Sequence, residues 1–315
     1  MKGKENYAIA VRREDGSISL TEHTHTSIRS KSKFFRIPII RGIIGFVESM
    51  ILNFKTLSQS AEQLGSLDEI EPESKFEKWL TDKLGDKLMG VVMTIAAVFG
   101  VLLAVGLFML LPTYATKGIE ALFGIDLGWT KTVIEGVLKI IIFIVYILLV
   151  SLMKDIRKTF EYHGAEHKSI FCYESGEELT VENVKKHRRF HPRCGTSFIF
   201  VVLIVSILIN SLPIVPWGNP ILRMLVKLLV LPLIVGISFE FIIFAGKHDN
   251  IITKILSAPG LWMQRITTRE PDDSQIEVAI IALKKALPND FPDFVHIDTH
   301  NISDNDKEAD GHEAE

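Results

Sequence analysis

Cysteine is scarce in this chain: 315 residues contain two, Cys172 and Cys194. A structural disulfide is not expected from them, because both fall in a segment that charge places in a reducing compartment; ligation or packing suits them better. The first 30 residues are polar and lack an apolar core, so nothing in them resembles a cleaved signal peptide and none is expected. There is no internal repeat and no phosphate-binding glycine loop. The net charge of −3 says little about partners, and no nucleic-acid partner is expected. Charge is also missing locally, and that absence is decisive: Leu88 to Leu111 carries no charged residue over its whole length.

What is present is long apolar sequence. Hydrophobic residues make up 47% of the chain, and a membrane-spanning helix needs about 20 mostly apolar residues in a row. Four runs qualify: Leu88–Leu111, Val133–Met153 with Glu135 and Lys139 near its start, Ser197 to Val215, and Ile221 to Gly246 with Arg223, Lys227 and Glu240. Pro213, Pro216, Gly218 and Pro220 supply a turn between the last two. The alternative, buried helices of a large soluble protein, fits poorly with an uncharged first run.

Lys and Arg in the short connections set the orientation. Between the second and third runs stand Lys154, Arg157, Lys158, Lys168, Lys185, Lys186, Arg188, Arg189 and Arg193, and before the first stand Lys75, Lys78, Lys83 and Lys87. The stretch Pro112–Thr132 holds only Lys117 and Lys131. The expectation is a multi-pass protein of a bacterial cell membrane with both termini cytoplasmic, in contact with membrane lipids and free to form oligomers.

The fold class expected is mainly α: about four transmembrane helices, an N-terminal β-hairpin and a cytoplasmic His-rich loop. Residues 1–36 form the hairpin region, with arms Tyr7–Arg13 and Ser17–Thr24 about Glu14-Asp15-Gly16; His23 and His25 read as solvated. Residues 37–65 form an interfacial or re-entrant helix, where Arg41 and Glu48 share a face two turns apart. Residues 66–87 are an acidic linker and a polar helix, and 88–153 the first two spans. The His/Cys loop is 154–196, followed by the last two spans at 197–246. Residues 247–300 are a C-terminal segment with an amphipathic helix, Ser274–Leu287, opened by a Ser274/Glu277 capping box. Residues 301–315 are a disordered acidic tail.

The chemistry concentrates between Glu161 and Thr196. His163, Glu166 and His167 make H-x-x-E-H, with the two histidines one helical turn apart on one face, a spacing that can hold one tetrahedral zinc. Glu166 beside them could take a proton from the attacking water, in the inverted form of the metalloprotease helix motif. His187 and His191 repeat the four-residue spacing, and Cys194 follows. If the chain is helical after Met153, His163 lies about 15 Å of rise beyond the second span, so the segment must fold back for the clusters to meet. The plain alternative is a basic loop with interleaved histidines touching lipid headgroups, in which Lys185, Lys186, Arg188 and Arg189 do the binding. Glu240, an intramembrane carboxylate, is a site candidate by default: a further ligand, a partner for Arg41 or Lys247, or a snorkelling side chain. Lys227 reads as snorkelling.

Three blocks together, Tyr162-His163-Gly164-Ala165-Glu166-His167-Lys168, Leu179-Thr180-Val181-Glu182-Asn183-Val184 and His191-Pro192-Arg193-Cys194-Gly195-Thr196, resemble the YqhQ-like family of bacterial multi-pass membrane proteins. The likeness continues through Tyr7-Ala8-Ile9-Ala10-Val11-Arg12, Ala258-Pro259-Gly260-Leu261-Trp262 and Thr267-Thr268-Arg269-Glu270-Pro271. The family is described as predicted metal-dependent enzymes of unassigned activity, and the resemblance implies a metal on the same histidines. Members open with G-G-Q-A-V-x-E-G-V-M-M-[RK]-G, of which Met1-Lys2-Gly3 matches only the end. The expectation is that the chain starts at an internal methionine and lacks a family glutamate.

Two functions of different class follow. One is a membrane metal-dependent hydrolase with a divalent metal, expected to be zinc, held by His163 and His167 with His191 or Cys194 completing the shell, Glu240 as a further candidate and Glu166 as base; its substrate would be a membrane-associated peptide or a lipid-headgroup ester. The other is a non-catalytic scaffold or regulator whose His-rich loop binds a structural metal or anionic lipid. A transporter ranks third, because the spans have no evident pseudo-symmetric halves.

Overall fold

The computed structural model of the chain describes residues 1–295 except 4, 65–87, 129, 192–193, 211, 213–219 and 248–250. The expected linker and polar helix between Ser66 and Lys87, the turn through Pro213, Pro216 and Gly218, and the tail from Asn301 lie outside the described residues. Two strands, β1 (Asn6–Arg12) and β2 (Ile18–Thr24), precede the helices. The helices are α1 (Ile40–Gln63), α2 (Leu88–Val105), α3 (Leu111–Phe123), α4 (Thr130–Val150), α5 (Lys154–Glu174) and α6 (Val181–Lys186). After these come α7 (Gly195–Asn210), α8 (Pro220–Lys247), α9 (Ile251–Thr267) and α10 (Asp273–Ala286).

Among the described residues three helical stretches are long and apolar enough to cross a membrane: Thr94–Phe123, Thr130–Val150 and Met224–Phe244. They mark a membrane protein. The first differs from the expected Leu88–Leu111 because the helix continues through Pro112. A π-helical turn at Gly106–Leu110 precedes it, and the Leu111 N–H reaches back to the Gly106 carbonyl. That wider turn lets a residue without an N–H enter the first turn of α3 without breaking the helix. The third expected span is represented by α7, whose 16 residues rise about 24 Å, short of the roughly 30 Å hydrocarbon core.

Lys227 and Glu240, the two charges singled out in the last apolar run, are paired. Lys227 does not snorkel: its Nζ lies 2.7 Å from Glu135, and both side chains are buried, at 5% and 1% exposure. Glu240 accepts from two Arg41 nitrogens, Nε at 2.6 Å and Nη2, and from the Ile39 N–H at 3.3 Å. α1 can reach it because Gly42 meets Gly236 at the crossing with α8; a Cβ on Gly42 would stand 2.8 Å from the Gly236 carbonyl. Glu48 turns to the N-terminal region instead of to Arg41. It sits 2.7 Å from His25 Nε2 and accepts from Ser27 at 2.9 Å. His25 is therefore paired and not solvated, and His23 stacks on Tyr7 with ring centroids 5.0 Å apart.

A second core lies outside the bundle. The segment expected as a His-rich loop is helical for most of its length, as α5 and α6. The reason is a continuous buried face: Ala165, Cys172, Leu179 and Val184 close on Ile276, Ala279, Ile280 and Leu283 of α10. β1 is covered on both sides, with Tyr7, Ile9 and Val11 against Leu52 of α1 and Asn6 donating to the Lys285 carbonyl of α10. The α10 capping box is made by Asp272 and Gln275, not Ser274 and Glu277. Ser274 donates to Asp272, and Glu277 is taken by Arg12 at 2.5 Å.

Candidate metal centre

α5 presents His163, Glu166 and His167, and its approach to the chain after α9 begins at Gly164. A Cβ there would stand 2.0 Å from the Arg269 carbonyl, so only glycine admits the contact. The Arg269 N–H donates to the Phe160 carbonyl at 2.8 Å. This contact brings the Thr267 carbonyl to 2.8 Å from His163 Nδ1. A carbonyl only accepts, so Nδ1 carries a proton and Nε2 of the neutral ring keeps its lone pair. Nε2 points at Cys194 Sγ, 3.2 Å away. His167 is held the same way: Nδ1 lies 2.5 Å from the Arg189 carbonyl.

One donor atom from each of His163, His167 and Cys194 lies within 4.8 Å of the others. The two imidazole rings meet edge to face with centroids 4.4 Å apart. Cys194 immediately precedes Gly195, the first residue of α7, at the positive end of a helix dipole. Burial works against a charged His163, yet the Cys194 sulfur, the Thr267 carbonyl and the nearby Glu166 outweigh it and raise its pKa above the ordinary histidine value. Such a donor set fits a divalent metal of the zinc class, since two oriented imidazoles and a sulfur leave one tetrahedral position open. Glu166 is half-buried on the same helix and makes no hydrogen bond among the described residues.

The other candidates stand elsewhere. His191 is buried next to the group, its ring 5.7 Å from that of His167, but its Nε2 faces Glu174 at 3.5 Å. Its backbone is clasped by Gln264, which accepts the His191 N–H at 2.7 Å and donates to the His191 carbonyl at 2.8 Å. Glu240 is not in the group, because Arg41 and the Ile39 N–H occupy its carboxylate on the α1–α8 crossing.

Sequence reasoning missed the groups that aim the histidines. The Thr267 and Arg189 carbonyls are backbone atoms and leave no residue signature. Glu270 was missed too: it pairs with both Lys168 and Arg189, at 3.1 Å for the latter, and so ties α5 to the segment holding the Arg189 carbonyl. Burial opposes its charge, but those two cations hold its pKa below the usual carboxylate range. The Thr267–Pro271 block was the available signal.

The comparisons bear on the whole of this arrangement. A family model described as "Protein of unknown function (DUF1385)" matches residues 37–289, which contain every residue of the centre. The "Uncharacterized protein YqhQ" of Bacillus subtilis (strain 168) is 36% identical over 290 residues, covering 90% of this chain and 88% of that protein. No solved structure matches. The chain belongs to the YqhQ-like DUF1385 family.

Proposed function

We propose that the protein is a membrane metal-dependent hydrolase with its centre at the cytoplasmic membrane face. The observation that carries this is the convergence of His163, His167 and Cys194 within 4.8 Å, with the Nδ1 atoms of both histidines engaged by carbonyls. Three protein donors leave a position for substrate or water, as catalytic zinc sites do. A divalent metal there would act as a Lewis acid toward a carbonyl or phosphoryl oxygen. Glu166 would receive the proton of the attacking water, its carboxylate not being hydrogen-bonded to another side chain among the described residues. The Thr267 and Arg189 carbonyls would keep the imidazoles in their ligating tautomer throughout. The substrate is a membrane-associated peptide or a lipid-headgroup ester, reached at the end of the spans. The cytoplasmic placement rests on the excess of Lys and Arg between Lys154 and Arg193 over the Pro112–Thr132 stretch.

The scaffold reading has support from His191, which would close a four-ligand shell if it turned from Glu174 to the metal. The lipid-loop form of that reading is weaker. Lys168 and Arg189 are spent on Glu270, and Lys185 on Asp273 at 2.5 Å, so three of the basic side chains are already partnered.

Elemental analysis of purified full-length protein tests the proposal. His163→Ala and His167→Ala should each lose the metal of this centre, and Glu166→Gln should keep it. Retention in both histidine variants would overturn the centre, and equal loss in Glu166→Gln would make that residue a ligand and remove the proposed base.

A further inference from the structure

Cys172, the second cysteine, has a set of neighbours of its own. One donor atom from each of Cys172, Glu177 and His187 lies within 4.8 Å of the other two. The three come from the end of α5, the turn after it and the residue after α6. The turn is shaped by Gly176 at φ +74, a conformation glycine adopts without cost. Ser175 donates to the Cys172 carbonyl at 2.7 Å, and Asn183 donates to the Glu178 carbonyl at 3.0 Å, which fixes the turn at both ends.

Two observations point to a ligand. His187 Nε2 is a buried atom with no hydrogen bond among the described residues; its near neighbour is the Glu177 carboxylate at 3.4 Å. The Cys172 thiol donates only long hydrogen bonds, to the Glu178 carbonyl at 3.5 Å and the Glu177 carbonyl at 4.0 Å, which a sulfur–metal bond would replace. On binding, the Cys172 thiol would release its proton to solvent; the resulting thiolate, with a carboxylate and a neutral imidazole, balances a divalent charge, and sulfur among them selects zinc-class ions over magnesium or calcium. Half-exposed Glu177 gives the ion a path from solvent. The set is separate from the first centre: Cys172 is five residues past His167, about 7 Å along α5 and roughly 140° around it.

We infer that Cys172, Glu177 and His187 form a second zinc-class site. The site joins α5 to the start of the 187–191 segment. That segment supplies the Arg189 carbonyl to His167, so an ion here fixes a group that orients the first centre.

The test is metal stoichiometry in the full-length protein, stripped with chelator and dialysed against zinc. Wild type should hold two zinc per chain. Glu177→Gln and His187→Ala should each hold one, and so should the His163→Ala/His167→Ala variant. Combining His187→Ala with His163→Ala/His167→Ala should leave none. Cobalt loading of His163→Ala/His167→Ala should give a thiolate-to-cobalt absorption that Cys172→Ser removes. Should Cys172→Ser fail to fold, the same band must vanish in His187→Ala, whose site lies at the edge of the core. Wild-type stoichiometry in both Glu177→Gln and His187→Ala would overturn the second site. Failure of the first centre alone would look different: His163→Ala/His167→Ala would keep the wild-type number while His187→Ala still lost one.

Discussion

Gly164 is the residue on which the first centre is hinged, although it has no side chain to contribute. Its missing Cβ lets the Arg269 carbonyl reach α5, and the same stretch of chain offers the Thr267 carbonyl to His163. Gly164→Ala should destabilise the protein by about 1–3 kcal/mol, the usual cost of forced overpacking. It should also weaken zinc binding by roughly 10- to 100-fold, as loss of an outer-shell hydrogen bond does. Thermal melts in detergent and a zinc titration check both; unchanged zinc affinity would remove Thr267 from the centre. At this scale the sequence was readable where side chains repeat: His163 and His167 are a turn apart, and the structure puts them on one face. It was unreadable where partners are backbone atoms or distant residues, which is why His191 drew attention while Thr267 and Glu270 did not. Glu240 and Lys227 were visible as charges in apolar helices, but their partners, 199 and 92 residues away along the chain, were matters of tertiary packing.

Among the elements, α10 backs the helix that carries His163 and His167, packing on α5 along Ile276, Ala279, Ile280 and Leu283. Its start depends on Asp272, whose carboxylate accepts from Ser274 and from the Gln275 N–H. Those hydrogen bonds outweigh burial and lower its pKa below the ordinary aspartate value. A depressed folded-state pKa means that the cap's contribution is fully present above the unfolded value and is lost as pH falls through the folded one. Asp272→Ala should therefore cost about 1 kcal/mol at neutral pH, with the difference from wild type shrinking below pH about 4. Melting curves against pH check this; a difference that persists undiminished at the acid end would assign the cap's effect to something other than its charge. The helix itself was legible in the spacing of its apolar residues. Its first turn was misplaced by two residues, because Asp272/Gln275 and Ser274/Glu277 satisfy the same pattern and only the burial of Gln275 decides between them. The α2–α3 continuation was hidden for a similar reason: Pro112 reads as a stop unless the π turn before it is known.

For the whole molecule, the central feature is convergence. α5, the residue before α7 and the end of α9 meet at one point, and that point lies where a bundle with three candidate spans among the described residues joins the second core, built on α5, α6 and α10. The membrane class was legible from uncharged length alone, whereas the joining of two cores was not, because nothing local in the sequence records which helix covers which. The cytoplasmic placement is checked with a single cysteine at exposed Ser175 in a background lacking Cys172 and Cys194. It should resist membrane-impermeant thiol reagents in intact cells and react after lysis, and labelling without lysis would reverse the orientation. The most direct test of the centre is X-ray absorption at the zinc edge on zinc-loaded full-length protein carrying Cys172→Ser, so that Cys194 is the one cysteine left. The account predicts a first shell with one sulfur at about 2.3 Å and two imidazole nitrogens at about 2.0–2.1 Å, with the sulfur lost in Cys194→Ser. A shell of light atoms alone, with no sulfur in the Cys172→Ser protein, would contradict it.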